Sequence, residues 1–147
     1  MPTMKEMYYA EACFDYIDKS HIVSDRYRFH TVNIMDLKDS NVDFIVSYNL
    51  KLGQTSNWNA FAIWIEVAFN HVHLPLKINY GPFCEKSSYY PIILYLKREV
   101  QVQEGQKITG SIAVRKLEKG GKKLVLGKVS HTIPGVVSQF QFYKIDF

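Results

Sequence analysis

His71 and His73 flank Val72 in "HVH", and an extended backbone would point both imidazoles to one side, as many zinc sites do. A zinc site needs a third ligand and usually a fourth, and the other candidates, Cys84, His131 and His30, are distant in the chain. Ordinary histidines at a strand end are the favoured reading, and no metal site is assigned. Glu85, Asp36 and Asp39 fall in or near loops, but no spacing pairs two carboxylates as acid and base. A glycine-rich phosphate loop of the Rossmann or P-loop type and a nucleophile elbow are both missing from the sequence. Read from its residues, the chain carries no self-contained catalytic set, which favours an interaction or accessory module over an enzyme.

The charge is equally undemanding. A net charge of +4 invites a nucleic-acid partner, but many of the basic residues crowd into "RKLEKGGKK", residues 115–123, around Gly120 and Gly121. A solvated hairpin tip that protects a sheet edge accounts for that cluster. Arginines interleaved with aromatics in "SDRYRFH" could stack bases, yet a strand entering a core has the same pattern. Two cysteines make no disulfide framework, and the first residues, with Lys5, Glu6 and Glu11, hold no signal-peptide apolar run. A reducing, intracellular setting is expected, cytoplasmic or nuclear. The longest apolar stretch, "NAFAIWIEVAFN", contains Glu66 and is too short to span a bilayer.

The elements that must position any site follow from length and periodicity. A chain of 147 residues that is 47% hydrophobic and 22% charged has the size and composition of one folded domain. In "PTMKEMYYAEACFDY", Thr3 precedes Glu6 by three residues, a capping-box spacing. Met4, Met7, Tyr8 and Glu11, extended by Cys13 and Phe14, follow a three-and-four rhythm. A short amphipathic helix is expected there, and one so short needs something to dock on. Beyond a turn at "DKSH" the rhythm changes to alternation. Strands are expected at 28–36, at 42–52, at 58–69 with cover on both faces, at 90–97, 107–115, 122–130 and 136–146. Short strands joined by turns, with no helices between them, imply an all-β fold, an antiparallel barrel or sandwich with a short helical N-terminal arm.

That order of elements resembles the C-terminal region of the protein arginine methyltransferase family. "AFAIWIEVAF" is similar to a family strand in which a Trp-Phe-Asp-type triplet precedes an aromatic, with Trp64, Ile65, Glu66 and Phe69 in those places. "INYGP", residues 78–82, looks like the family segment that ends just before its active-site loop, and "VQVQEGQKITGSIAV" like the strand, acidic Gly turn and Gly-(Thr/Ser)-Ile strand after it. The resemblance spans essentially the whole chain. It implies a helical dimerisation arm at residues 1–25 and an antiparallel β-barrel domain at 26–147.

The resemblance also implies where the chemistry of the family would lie. The family's Thr-His-Trp loop corresponds to Ser87, Ser88 and Tyr89, so its histidine is replaced by a serine with no imidazole to pair with a carboxylate. Tyr89 keeps an aromatic wall. The family's S-adenosylmethionine-binding half and its paired glutamates precede the arm, so no cofactor is expected in this chain and no residue is assigned as catalytic. Met4, Met7, Tyr8 and Phe14 are the implied partner-docking residues, toward a homodimer or a heterodimer with an arginine methyltransferase subunit; nucleic acid and membrane are not expected partners. The parent would be an arginine methyltransferase or its inactive regulatory paralogue. The alternative is a free-standing β-barrel binding module for an apolar ligand or single-stranded nucleic acid.

Overall fold

The computed structural model describes residues 11–36, 43–83, 90–135 and 138–145. Alternation organises the first long strand, β2 (Phe44–Lys51). Phe44, Val46, Tyr48 and Leu50 turn toward the interior while Ile45, Ser47, Asn49 and Lys51 face out, the period-two pattern of a strand with one covered face. β2 pairs antiparallel with β7 (Lys107–Lys119), β7 with β8 (Lys122–His131), and β8 with β9 (Gln139–Ile145). A second sheet runs β1–β6–β3, joining β1 (Cys13–Phe14), β6 (Ile92–Val102) and β3 (Ser56–Ile63). A third, two-stranded ribbon consists of β4 (Glu66–Phe69) and β5 (Leu76–Asn79). Among the described residues every strand ladder is antiparallel, with one isolated parallel bridge between Glu11 and Lys144, so the all-β class holds. No helix among the described residues is long and apolar enough to cross a membrane.

The core lies between the two larger sheets. Tyr48, Ile112, Val129 and Tyr143 from one meet Trp58, Phe61, Leu94 and Leu96 from the other, and Trp58 stands edge-on to Phe61 with centroids 4.9 Å apart. Side chains of this size contribute about 1.5–3 kcal/mol each when fully removed from water. The seam between the sheets is closed by polar contacts. β6 bulges there, because two steps along β3 from Trp58 to Ala60 are matched by five along β6 from Val100 to Tyr95. The bulge interrupts the ladder at Lys97 N–H and the Tyr95 carbonyl. Gln141 on β9 takes both, accepting from Lys97 N at 3.0 Å and donating to Tyr95 O at 3.3 Å. Tyr143 Oη donates to the same carbonyl at 2.7 Å.

Gly110 on β7 sits opposite Tyr48, whose hydroxyl crosses it to donate to Ser130 O at 2.6 Å. A Cβ at Gly110 would overlap that carbonyl oxygen and approach Tyr48 Oη to 2.7 Å. Burial pushes the phenols of Tyr48 and Tyr143 well above the ordinary tyrosine range, and the nearby Tyr143 phenol raises the cost of charging Tyr48 further. The hairpin tip falls where its glycines place it, with φ of 59° at Gly120 and 78° at Gly121, the left-handed pair that a two-residue hairpin turn demands.

Three expectations fail. Residues 11–16, the described part of the expected helix, run extended: Ala12 N–H donates to Lys144 O at 3.0 Å, and Cys13 and Phe14 pair with Ile93 and Ile92. An open strand edge satisfies that backbone better than a helix too short to hold itself; residues 1–10 lie outside the described residues. The strand at 28–36 is absent. Asn33 ends that segment by accepting Met35 N–H at 3.1 Å and Asp36 N–H on its carbonyl at 3.1 Å, forming a 3-10 turn at Ile34–Asp36. The single strand at 58–69 is two, β3 and β4, separated at Trp64 and Ile65. Its two-sided cover stops with the break, because Ile65 and Phe69 are exposed.

Candidate functional site

Trp64 leaves β3 and lays its indole on the backbone of Gly81, where a Cβ would collide with the ring. Only glycine permits that approach. Phe83 follows at 6.1 Å from Trp64, tilted by 56°, and the Arg26 guanidinium sits 4.8 Å over the Phe83 ring, a cation–π distance. These side chains form a rim at the residues that lead into segment 84–89. At the other end of that segment Tyr90 is exposed and Pro91 buried.

A polar chain holds the rim from below. On the β4–β5 ribbon Glu66 lies opposite Asn79, and its carboxylate accepts hydrogen bonds from Arg28 Nη2 at 3.2 Å and from Asn79 Nδ2 at 3.3 Å and forms an ion pair with Lys77 Nζ at 3.8 Å. Asn79 Oδ1 in turn accepts the Gly81 N–H at 2.7 Å, and Tyr80 N–H donates to Ile65 O at 3.0 Å. Arg28 and Lys77 are two-thirds exposed, so these ion pairs orient more than they stabilise. The arrangement presents cations and an aromatic face around one carboxylate. It contains no nucleophile paired with a base.

The N-terminal segment reaches the same place from the other side. Asp15 N–H donates to Pro91 O at 3.4 Å, and Phe14 pairs with Ile92. Phe14, assigned to partner docking, is exposed on β1 and stands beside the strand that carries the exit of segment 84–89. Met4, Met7 and Tyr8 lie outside the described residues, as do Ser87, Ser88 and Tyr89. His71 and His73 fall in the exposed connection between β4 and β5, and among the described residues no group of three or more His, Cys, Asp or Glu side chains could hold a metal ion. His131 is elsewhere, edge-on to Trp58 at 4.9 Å, and burial lowers its pKa.

Sequence reasoning noted Trp64, Glu66 and Gly81 separately but missed that Arg26, Arg28 and Asn79 join them. One signal was available: Asn79 two residues before Gly81 is the spacing of an Asx turn. The arginine contacts cross long sequence separations and leave no periodic trace.

With this geometry in hand, the relatives can be compared. Residues 1–125 match the family model described as the arginine methyltransferase oligomerization subdomain. The probable protein arginine N-methyltransferase 1.2 of Arabidopsis thaliana is 24% identical over 148 residues, covering 99% of this chain and 40% of that protein. The chain thus spans about two-fifths of the length of the curated relatives it matches. The solved Trypanosoma brucei PRMT1 enzyme-prozyme heterotetrameric complex with AdoHcy superposes with a TM-score of 0.88 at 14% identity, covering 95% of this chain and 45% of that one. Arabidopsis thaliana protein arginine methyltransferase 10 superposes at 0.85 and 12% identity, covering 95% and 43%. Those two likenesses concern the fold; the match over 125 residues places this chain in the arginine methyltransferase oligomerization subdomain family.

Proposed function

We propose that the chain is the non-catalytic barrel and dimerisation portion of a protein arginine methyltransferase family member. In this reading S-adenosylmethionine is bound, and methyl groups are transferred to protein arginines, by a cofactor domain outside these 147 residues. The observation that carries it is the juxtaposition of the N-terminal segment with the rim: Phe14 and Asp15 are bonded to Ile92 and Pro91, directly after segment 84–89. A partner that docks at Phe14 therefore meets the strand that follows the segment at which the family does its chemistry, and in this reading Met4, Met7 and Tyr8 belong to the same docking set. Residues 1–25 act as the arm and 26–147 as the barrel. Ser88, in the place of the family's histidine, provides no imidazole, which favours a regulatory, prozyme-like subunit paired with an active methyltransferase. The Trypanosoma brucei relative is an enzyme-prozyme complex, which supports that kind of assembly. An intracellular location belongs to the same reading.

The test is a methyl-transfer assay with S-adenosylmethionine and an arginine-rich protein substrate. The chain alone is expected to transfer nothing and to leave the cofactor unbound by calorimetry. Added to an arginine methyltransferase subunit from the same cell, it is expected to co-sediment and raise that subunit's turnover, and Phe14→Ala to weaken both effects. Turnover by the chain alone would overturn the non-catalytic reading. Failure to associate with any methyltransferase subunit would overturn the assembly role.

A further inference from the structure

The outer face of the four-stranded sheet β2–β7–β8–β9 follows from its registers, because successive residues of a strand point to opposite faces. With Tyr48, Ile112, Val129 and Tyr143 turned into the core, the residues between them line up outside in rows. Ser47, Ser111, Ser130 and Phe140 make one row, with the Ser111 and Ser130 hydroxyls 3.0 Å apart. Ile45, Ala113, Lys128 and Phe142 make the next. Arg115 lies one row beyond, and at the other end Lys51 stands directly opposite Lys107, all three exposed. Among the described residues no strand position on this face holds an aspartate or glutamate. At its margins Asp43 and Asp25 accept backbone N–H groups, of Lys116 at 2.7 Å and of Lys51 at 2.8 Å. Phe140 and Phe142 are 60% and 56% exposed on the edge strand, with ring centroids 5.8 Å apart. Lys128 Nζ stands 4.7 Å over one ring and 5.6 Å from the centre of the other.

We propose that this face binds single-stranded nucleic acid, with bases stacked on Phe140 and Phe142 and phosphates held by Lys128, Arg115 and the Lys51–Lys107 pair. Platforms for single strands combine aromatic rings that stack bases with cations that track the backbone, and here both stand on one surface. Like charges directly opposite one another cost a sheet stability, and an anion between Lys51 and Lys107 relieves that cost. A duplex is disfavoured, because a flat sheet face offers no element to enter a groove. A second copy would set cations against cations across a two-fold axis, and an apolar protein surface would strip water from Lys128 and Arg115 without pairing them. From Lys107 to Arg115 the face runs roughly 27 Å at about 3.3 Å per residue, room for about four nucleotides, the low end of such sites. Sequence spacing hides the set, since Lys51, Arg115 and Lys128 come together only through strand pairing. Phe14 belongs to the other large sheet, so the strand of nucleic acid and the proposed protein partner take different surfaces.

Fluorescence anisotropy of the 147-residue chain with a labelled oligouridine of about 12 nucleotides, over a salt series, tests the face. Binding is expected, weakening with salt by a slope of about 0.7 in log Kd against log salt for each phosphate neutralised. Phe140→Ala with Phe142→Ala should weaken binding at least about tenfold and leave that slope unchanged, through loss of stacking alone. Lys128→Gln should lower the slope by about 0.7. Arg98→Gln removes an equal charge from β6 in the other sheet and should change affinity less than about twofold. Oligothymidine of the same length separates the sources: equal affinity extends the assignment to any single strand, and tighter RNA binding confines it to RNA. Thermal melting establishes that the variants stay folded. No binding at low salt, a double alanine variant that binds as tightly as the parent chain, or an oligoglutamate that competes as well as the oligouridine would overturn the proposal. Displacement of the RNA by a saturating methyltransferase subunit would do so too, by reassigning the face to protein docking. The assembly reading stands or falls separately, on association and turnover with that subunit.

Discussion

The two large sheets and the β4–β5 ribbon solve the same problem in opposite ways. In the body of the barrel the core-facing side chains come from both large sheets, and the polar seam is closed by hydrogen bonds among Gln141, Tyr143, Tyr95 and Lys97. In the ribbon the apolar face is turned outward and the polar face is held by exposed ion pairs around Glu66. The body is built to stay folded, and the ribbon is built to hold the rim. The contrast yields an ordering of mutational effects: changes that disturb the seam should cost stability, and changes in the ribbon should cost local geometry.

The largest effect is expected at Gly110. Alanine there puts a methyl group into the space of the Ser130 carbonyl, and relief requires β7 and β8 to separate where Tyr48 bonds across them. Overpacking of a fixed backbone costs about 1–3 kcal/mol and often more. Urea unfolding of Gly110→Ala should show a loss of at least about 2 kcal/mol. A loss no greater than that of a ribbon substitution would break the contrast between the two regions.

An intermediate effect is expected at Tyr143. Phenylalanine removes the hydroxyl that donates to Tyr95 O, but that carbonyl keeps its bond from Gln141, so about 1 kcal/mol should be lost at neutral pH. The pH dependence sharpens the test. Burial raises the phenol above its ordinary value, so the unfolded chain deprotonates first, near pH 10. Below that pH the contribution is constant. Above it stability falls as pH rises, by up to about 1.4 kcal/mol per unit for each such group. Tyr48 is raised in the same way, so Tyr143→Phe and Tyr48→Phe should each flatten the alkaline limb of a stability–pH curve measured by urea titration.

How far these regions could be read from sequence differs for the same physical reason. β2 was legible because Phe44 to Leu50 alternate against a core that covers one face, and the hairpin tip because Gly120 and Gly121 alone suit its backbone. The segment around Phe14 was not. Its three-and-four spacing is real, but the free edge of β6 offers backbone partners that override a weak helical preference. The break at Trp64 was hidden because apolar residues continue across it; what ends β3 is contact between an indole and Gly81, which no periodicity announces. The rim was half legible: Trp64, Glu66 and Gly81 drew notice through family likeness, while Arg26 and Arg28 reach it only through the fold.

The smallest effect on stability, and the most diagnostic of the ribbon, is expected from Glu66→Ala. The substitution deletes the ion pairs to Arg28 and Lys77, whose side chains are 68% and 65% exposed, and such pairs contribute about 0–1 kcal/mol that added salt screens further. Global stability should therefore change by less than about 1 kcal/mol, and less still in high salt. Local order should change more. Glu66 Oε2 is the acceptor that orients the Asn79 amide, and Asn79 Oδ1 is the acceptor of the Gly81 N–H. With the carboxylate gone, the amide is free to rotate and the Gly81 N–H loses its fixed partner beneath the Trp64 ring. Native-state hydrogen exchange should speed up severalfold at Gly81 while the amides of β2 and β7 keep their rates, because local openings draw on local contacts and not on global stability. If Gly81 and the barrel amides speed up together, Glu66 is a structural member of the body and the ribbon is not an independent region.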